Sequence, residues 1–130
     1  ATALHRACSL SIVWGVERLL KKGANPMITD NYGNTALHLA IEMGNPHIII
    51  GIIKAAGPAI VNIQNYKEET ALHVAVLNTQ VWAVKYLWEI GASGTIKANE
   101  KTALQVAMGM IADGGSADVV EIYDLLLRFD

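Results

Sequence analysis

Apolar residues come in short bursts separated by polar turns. Ile48, Ile49, Ile52 and Ile53 recur at spacings of three and four, which predicts a helix with one buried face. After Gly44 and Asn45 the chain can turn into that helix, and Gly57 is placed to stop it. Comparable segments end at Gly23-Ala24 after Leu19-Leu20, and at Gly91-Ala92 after Leu87-Trp88. Ahead of each lies a second apolar stretch that opens with Thr: Thr2-Ala3-Leu4-His5, Thr35-Ala36-Leu37-His38, Thr70-Ala71-Leu72-His73 and Thr102-Ala103-Leu104-Gln105, at intervals of 33, 35 and 32 residues. A fixed period of this length is the mark of a stacked repeat.

Each unit reads as two short helices. Thr suits the N-cap, where its hydroxyl accepts from an otherwise unpaired backbone N–H. The Leu and the Ala three positions later (Ala7, Ala40, Ala75, Ala107) share a helical face, and the small Ala lets a neighbouring helix approach. Between units, Asn25-Pro26 and Asp30-Asn31-Tyr32-Gly33 are turn residues and predict a projecting hairpin.

With those residues in register, the whole chain resembles the ankyrin-repeat family, whose pattern is D-x-x-G-x-T-P-L-H-x-A with G-A closing the second helix. Asp30, Gly33, Thr35, Leu37, His38, Ala40 and Gly44 match it in the second unit. Ala stands throughout where the family has Pro, Glu68 and Glu100 stand where it has Gly, and Asp113-Gly114-Gly115-Ser116 inserts into the fourth unit. The resemblance implies an all-α solenoid of about four stacked helix-turn-helix repeats with short β-hairpin connections, divided near residues 1–28, 29–63, 64–96 and 97–130. The first unit opens at its own helix without a preceding hairpin, which predicts a piece of a longer protein.

The sequence is 52% hydrophobic over 130 residues, enough for a continuous core, and carries a net charge of -2, which gives no general attraction to nucleic acid. Apolar runs such as Ala55 to Val61 are too short to cross a bilayer. A lone Cys8 and the absence of an Asn-X-Ser/Thr acceptor favour a reducing intracellular compartment. The expected setting is the cytoplasm, and the nucleus as well.

Catalytic chemistry finds little footing. His5, His38 and His73 fall on successive stacked helices, about 10 Å apart, too far to share a metal ion, and the resemblance implies a structural His bonded near its own Thr. Cys8 sits where the family has a small apolar residue and reads as a packed thiol. No phosphate-cradling Gly-rich loop with its Lys occurs. The expectation is a non-enzyme with no metal, no cofactor and no small-molecule substrate.

The aromatic residues carry more information. Trp14 and Trp82 each lie twelve residues after their Thr, on the second helix, where the family is generally polar and exposed; either a partner covers them or their indoles lie along the outer helices. Trp88 matches a family Leu and is expected in the core. Charge is uneven: residues 1 to 22 carry Arg6, Arg18, Lys21 and Lys22 against Glu17, whereas residues 100 to 130 carry Lys101 and Arg128 against Glu100, Asp113, Asp118, Glu121, Asp124 and Asp130.

Ankyrin stacks bind through their hairpin tips and the exposed ends of their first helices. The matching positions are Asn31, Tyr32, Asn34, Glu42 and Met43 in the second unit, Tyr66, Lys67, Glu69, Leu77 and Asn78 in the third, and Asn99 and Lys101 in the fourth. The phrasing from Gly23-Ala24-Asn25-Pro26 through Gly44, with Leu72-His73-Val74-Ala75-Val76, is similar to the inhibitor-of-κB group. That likeness implies another protein as partner, a Rel/NF-κB transcription-factor dimer held in the cytoplasm with its DNA contact blocked. A scaffold or adaptor segment of a larger protein, and an ankyrin segment attached to an enzyme, are the alternatives.

Overall fold

The computed structural model describes residues 2–129, and eight α-helices account for most of them. They pair as α1 (Ala3–Ser9) with α2 (Val13–Lys21), α3 (Ala36–Met43) with α4 (Pro46–Ala56), α5 (Ala71–Leu77) with α6 (Val81–Glu89), and α7 (Ala103–Ala112) with α8 (Ala117–Phe129). Helices α1, α3, α5 and α7 pack in sequence to make one layer. In the second layer α2 packs on α4 and α6 on α8. Between α4 and α5 the longer connection winds into a 3-10 turn, Pro58–Asn62, that packs on both helices and buries Ile60 and Val61.

The repeated apolar positions make the core. Leu4, Leu37 and Leu72 are buried, as are Ala7, Ala40, Ala75 and Ala107, so the first layer is Leu and Ala interleaved. All four isoleucines singled out on α4 are buried, and Gly57 ends that helix with a positive φ of +88°, its N–H on the carbonyl of Ile53. Trp88 is only partly buried, packed against the core rather than inside it. In the fourth unit Leu104 is also half-buried, and α8 adds Val119, Ile122 and Leu126 to the buried set. The insertion at residues 113–116 thus leads into the longest of the described helices.

The connections correct one expectation. Among the described residues there are no β-strands, and the one β-bridge joins Ala98 to Lys101. Each turn is closed within five residues by two backbone bonds, Asp30 N–H to the Asn34 carbonyl at 2.9 Å with Gly33 N–H to the Asp30 carbonyl at 3.0 Å, and Asn65 N–H to the Glu69 carbonyl at 3.0 Å with Glu68 N–H to the Asn65 carbonyl at 2.9 Å. The reason is local: the residue after Asn34 or Glu69 is already the N-cap Thr of the next helix, so neither arm is long enough to extend a ladder.

The Thr-Ala-Leu-His units work as capping boxes with imidazole in the place usually taken by Glu or Gln. In the first unit the Thr2 hydroxyl accepts from the His5 N–H at 3.2 Å, while His5 Nδ1 accepts from the Thr2 N–H at 3.1 Å. Nδ1 also receives the backbone N–H of Thr35 at 3.0 Å in the second unit and of Thr70 at 3.2 Å in the third. An accepting Nδ1 fixes the proton on Nε2. Nε2 then donates to the next unit: His5 to the Asn34 carbonyl at 3.1 Å, His38 to Glu69 at 2.9 Å and His73 to Lys101 at 3.0 Å. Gln105 repeats only the local half, its Oε1 accepting from Thr102 N–H at 2.9 Å.

Candidate functional site

The turns that carry the candidate surface are built around one side chain each. Asp30 Oδ1 accepts from the N–H groups of Tyr32 and Asn34, both at 2.9 Å. Burial pushes its carboxyl up, but those two N–H bonds, with His5 nearby, more than offset this and hold it below its ordinary value. Asn65 does the same work one unit on, its Oδ1 accepting from Lys67 and Glu69 N–H at 3.0 Å. Its amide group reaches further, donating to Asn34 Oδ1 at 2.9 Å and to Glu69 Oε1 at 3.1 Å. One buried Asn therefore ties two successive turns together.

The tips are joined through the backbone as well, Tyr66 N–H donating to the Tyr32 carbonyl at 2.9 Å. Their side chains are the most exposed of the described aromatics, Tyr32 at 73% and Tyr66 at 75%. Below them opens a groove of about 490 Å³ whose lining comes only from the turns and the first-layer helices. Leu77, 47% exposed on the last turn of α5, supplies apolar surface there, and Glu42 on α3 supplies a carboxylate.

Of the twelve residues expected at the surface, the groove brings together Tyr32, Asn34, Glu42, Tyr66, Lys67, Glu69, Leu77 and Asn78. Asn31, Met43, Asn99 and Lys101 do not line it; Asn31 and Met43 are exposed beside it, and the other two belong to the fourth turn. Asn34 and Glu69 are half-buried and already hydrogen-bonded, so they shape the groove as well as lining it. Sequence reasoning leaves out Asn65, Val74 and the edge of His38. For Asn65 a signal exists: it stands in register with Asp30, so the same turn-holding role follows from the repeat.

The turn of the fourth unit differs because Lys97, five residues before Thr102 as Asp30 and Asn65 are before Thr35 and Thr70, has no side-chain acceptor. Asn99 and Glu100 both adopt positive φ there, +50° and +69°. Glu68 reaches across from the preceding turn, its Oε1 accepting the Asn99 N–H at 3.1 Å.

The chemistry of the remaining reactive groups is settled by their surroundings. Burial pushes the Cys8 thiol up to about 12, so it stays protonated at neutral pH and is a poor nucleophile. Both ring nitrogens of His5, His38 and His73 are engaged in the bonds above, which leaves neither free for a metal. No helix among the described residues is long and apolar enough to cross a membrane.

Helix pairs stacked in two layers, Thr-capped first helices and projecting turns define a repeat-solenoid class of protein. Residues 1–62 match the family model for ankyrin repeats (3 copies). The chain belongs to the ankyrin-repeat family. It is similar to the B-cell lymphoma 3 protein homolog of Mus musculus, 39% identical over 93 residues, covering 70% of this chain and 21% of that protein. It is also similar to the NF-kappa-B inhibitor alpha of Rattus norvegicus, 33% identical over 95 residues, covering 70% of this chain and 30% of that protein. With the nuclear factor NF-kappa-B p105 subunit of Gallus gallus it is 31% identical over 131 aligned residues, 91% of this chain and 13% of that protein. The chain thus spans less than a third of the length of each of these three relatives.

Proposed function

We propose that this chain acts by binding and not by catalysis, and that its partner is a Rel/NF-κB transcription-factor dimer lying across the groove of the second and third units. On this reading the complex sits in the cytoplasm, with the dimer kept from DNA, and extends to the nucleus. The observation that carries it is the position of Tyr32 and Tyr66. Two exposed tyrosines stand on turns locked to each other by backbone and Asn65 bonds, over a groove that also exposes Leu77. An isolated stack gains little from those apolar rings in water, whereas a partner that covers them gains large area at low entropic cost. The similarity to a protein named for inhibition of NF-kappa-B supports the choice of partner.

Binding kinetics against purified Rel-homology dimers test this. Wild type is expected to bind at micromolar concentration or tighter. Tyr32→Ala and Tyr66→Ala should each weaken binding by ~2 kcal/mol, the usual scale for a central aromatic anchor, with the thermal melt of Tyr32→Ala unchanged. No binding by wild type would sink the Rel reading and leave an adaptor segment for a different protein. Binding that neither Tyr variant weakens would put the contact elsewhere.

A further inference from the structure

The second helical layer carries an aromatic and basic face that the groove does not use. Trp14, Glu17, Arg18, Lys21 and Lys22 lie at steps of three and four along α2 and its C-cap, so they share one side of the helix. They enclose a shallow concavity of about 430 Å³, with the Trp14 indole 71% exposed.

The third unit shows what these positions do when they are satisfied within the chain. There Trp82 stacks on Tyr86, ring centroids 5.1 Å apart and 8° from parallel, in register with Trp14 and Arg18. Lys85, in register with Glu17, pairs with Glu121 of α8 at 3.6 Å. In the first unit neither happens. Among the described residues the Trp14 ring stacks on no other aromatic ring, and Arg18, Lys21 and Lys22 have no carboxylate within ion-pair distance, Glu17 included. An unstacked indole next to three such cations is incomplete in a way that its counterpart two units away is not.

We infer that the Trp14, Arg18, Lys21 and Lys22 face of α2 is a docking surface for a short acidic peptide segment of a partner protein, with one apolar side chain seated on the indole and carboxylates on the cations. Charge complementarity selects the occupant: three cations outweigh one carboxylate here, on a chain whose net charge is -2. Length selects a short one. Eight residue steps of helix from Trp14 to Lys22 rise about 12 Å, the reach of roughly four extended residues. A nucleic-acid backbone would need a longer basic track than one helix of about two and a half turns.

The test uses the peptide Glu-Asp-Phe-Asp-Glu, its counterpart with Lys for every acid, and a short oligo-thymidine, each titrated into the 130-residue chain. The indole N–H signals of Trp14 and Trp82 are followed by NMR, and the affinity is measured by calorimetry. The acidic peptide is expected to shift the Trp14 signal and leave Trp82 in place. Trp14→Ala, and separately the double change Lys21→Glu with Lys22→Glu, should weaken it by about tenfold or more, and Trp82→Ala should have no effect. Raised salt should weaken it too. The exposed position of Trp14 keeps these variants folded, with thermal melts as the check. Three results overturn the inference: equal binding of the Lys peptide, tighter binding of the oligonucleotide, or no shift of Trp14 at millimolar peptide. Concentration-dependent self-association in sedimentation, abolished by Trp14→Ala, would assign the face to a second copy of the chain and overturn it as well.

Discussion

The ring of Tyr66 lies against the bare α-carbon of Gly33. A β-carbon at position 33 would stand 2.6 Å from Tyr66 Cδ1 and 2.8 Å from its backbone nitrogen, and Gly33 has a φ of +76°. The turn therefore needs glycine twice over, for its left-handed backbone and for the next turn to close on it. Gly33→Ala is expected to destabilise the stack by ~2 kcal/mol, read from the urea midpoint. Tyr66→Ala removes the ring but leaves the nitrogen, so in a double-mutant cycle it should recover part of that loss and not all. Full additivity would mean that the turns are not packed together.

Asn65→Ala should cost ~1–3 kcal/mol, since it leaves buried donors and acceptors without the partner that holds both turns. Asn65→Asp separates its two roles. It keeps the acceptor that suffices at Asp30 but replaces the amide donor by a charge facing Asn34 Oδ1 and the Glu69 carboxylate. It should be no better than the Ala variant in thermal melts, and near-wild-type stability would show that the link between turns contributes little.

Much of this fold is legible in the sequence, and what is not has a common cause. Leu37, Ala40 and the isoleucines of α4 are readable because helical burial is periodic over three or four residues. The Thr-His pairing, closed within one turn, follows from the resemblance to ankyrin repeats and not from periodicity. The bond made by the outer nitrogen of each His is not readable, because its acceptor lies 28 to 31 residues on and only stacking brings it near. Eight of the twelve surface residues come together in one groove, since register in a repeat fixes where a side chain points. The hairpins are the exception: Asn, Asp and Gly signal that the chain turns, but not that its arms are long enough to pair.

Stability should fall as solution is acidified below pH 6.5. Burial holds His38 and His73 below the ordinary value of 6.5, partly opposed by the carbonyls of Glu69 and Lys101 and by the charge of Glu69. The unfolded chain then binds protons at a higher pH than the folded one. The contribution is complete above 6.5 and is lost as pH drops from there through the lowered folded values. A proton on Nδ1 would also face the Thr N–H that it now accepts. His38→Gln copies the arrangement at Gln105: it keeps an acceptor for Thr35, and should make the melting temperature less pH-dependent while lowering it overall. An unchanged slope would place the titration in other groups.

Leu37→Ala and Leu72→Ala should each lower stability by ~2 to 5 kcal/mol, because both side chains are fully enclosed between units. Leu104→Ala serves as the contrast. It occupies the same register but is half-buried, so its loss should be clearly smaller. Equal losses at all three would mean that Leu104 is as enclosed in solution as Leu37 and Leu72.

Glu68 offers the last test, because strain and compensation meet in one side chain. Its φ is +66°, close to that of Gly33 in the preceding turn, yet it carries a β-carbon, and such a backbone costs roughly 1–2 kcal/mol in a non-glycine residue. Against that, its carboxylate accepts the Asn99 N–H in the one turn where Lys97 provides no acceptor of its own. Glu68→Ala keeps the strain and loses the bond, so it should destabilise by ~1 kcal/mol. Glu68→Gly loses the same bond but relieves the strain, so the two effects should nearly cancel, leaving it ~1 kcal/mol more stable than the Ala variant. Urea melts of the three chains decide the matter. If Ala and Gly are equal, the backbone at 68 is unstrained in solution. If Gly exceeds wild type by the full strain energy, the bond to Asn99 contributes nothing, and Glu68 must have another reason to stand where glycine would be easier.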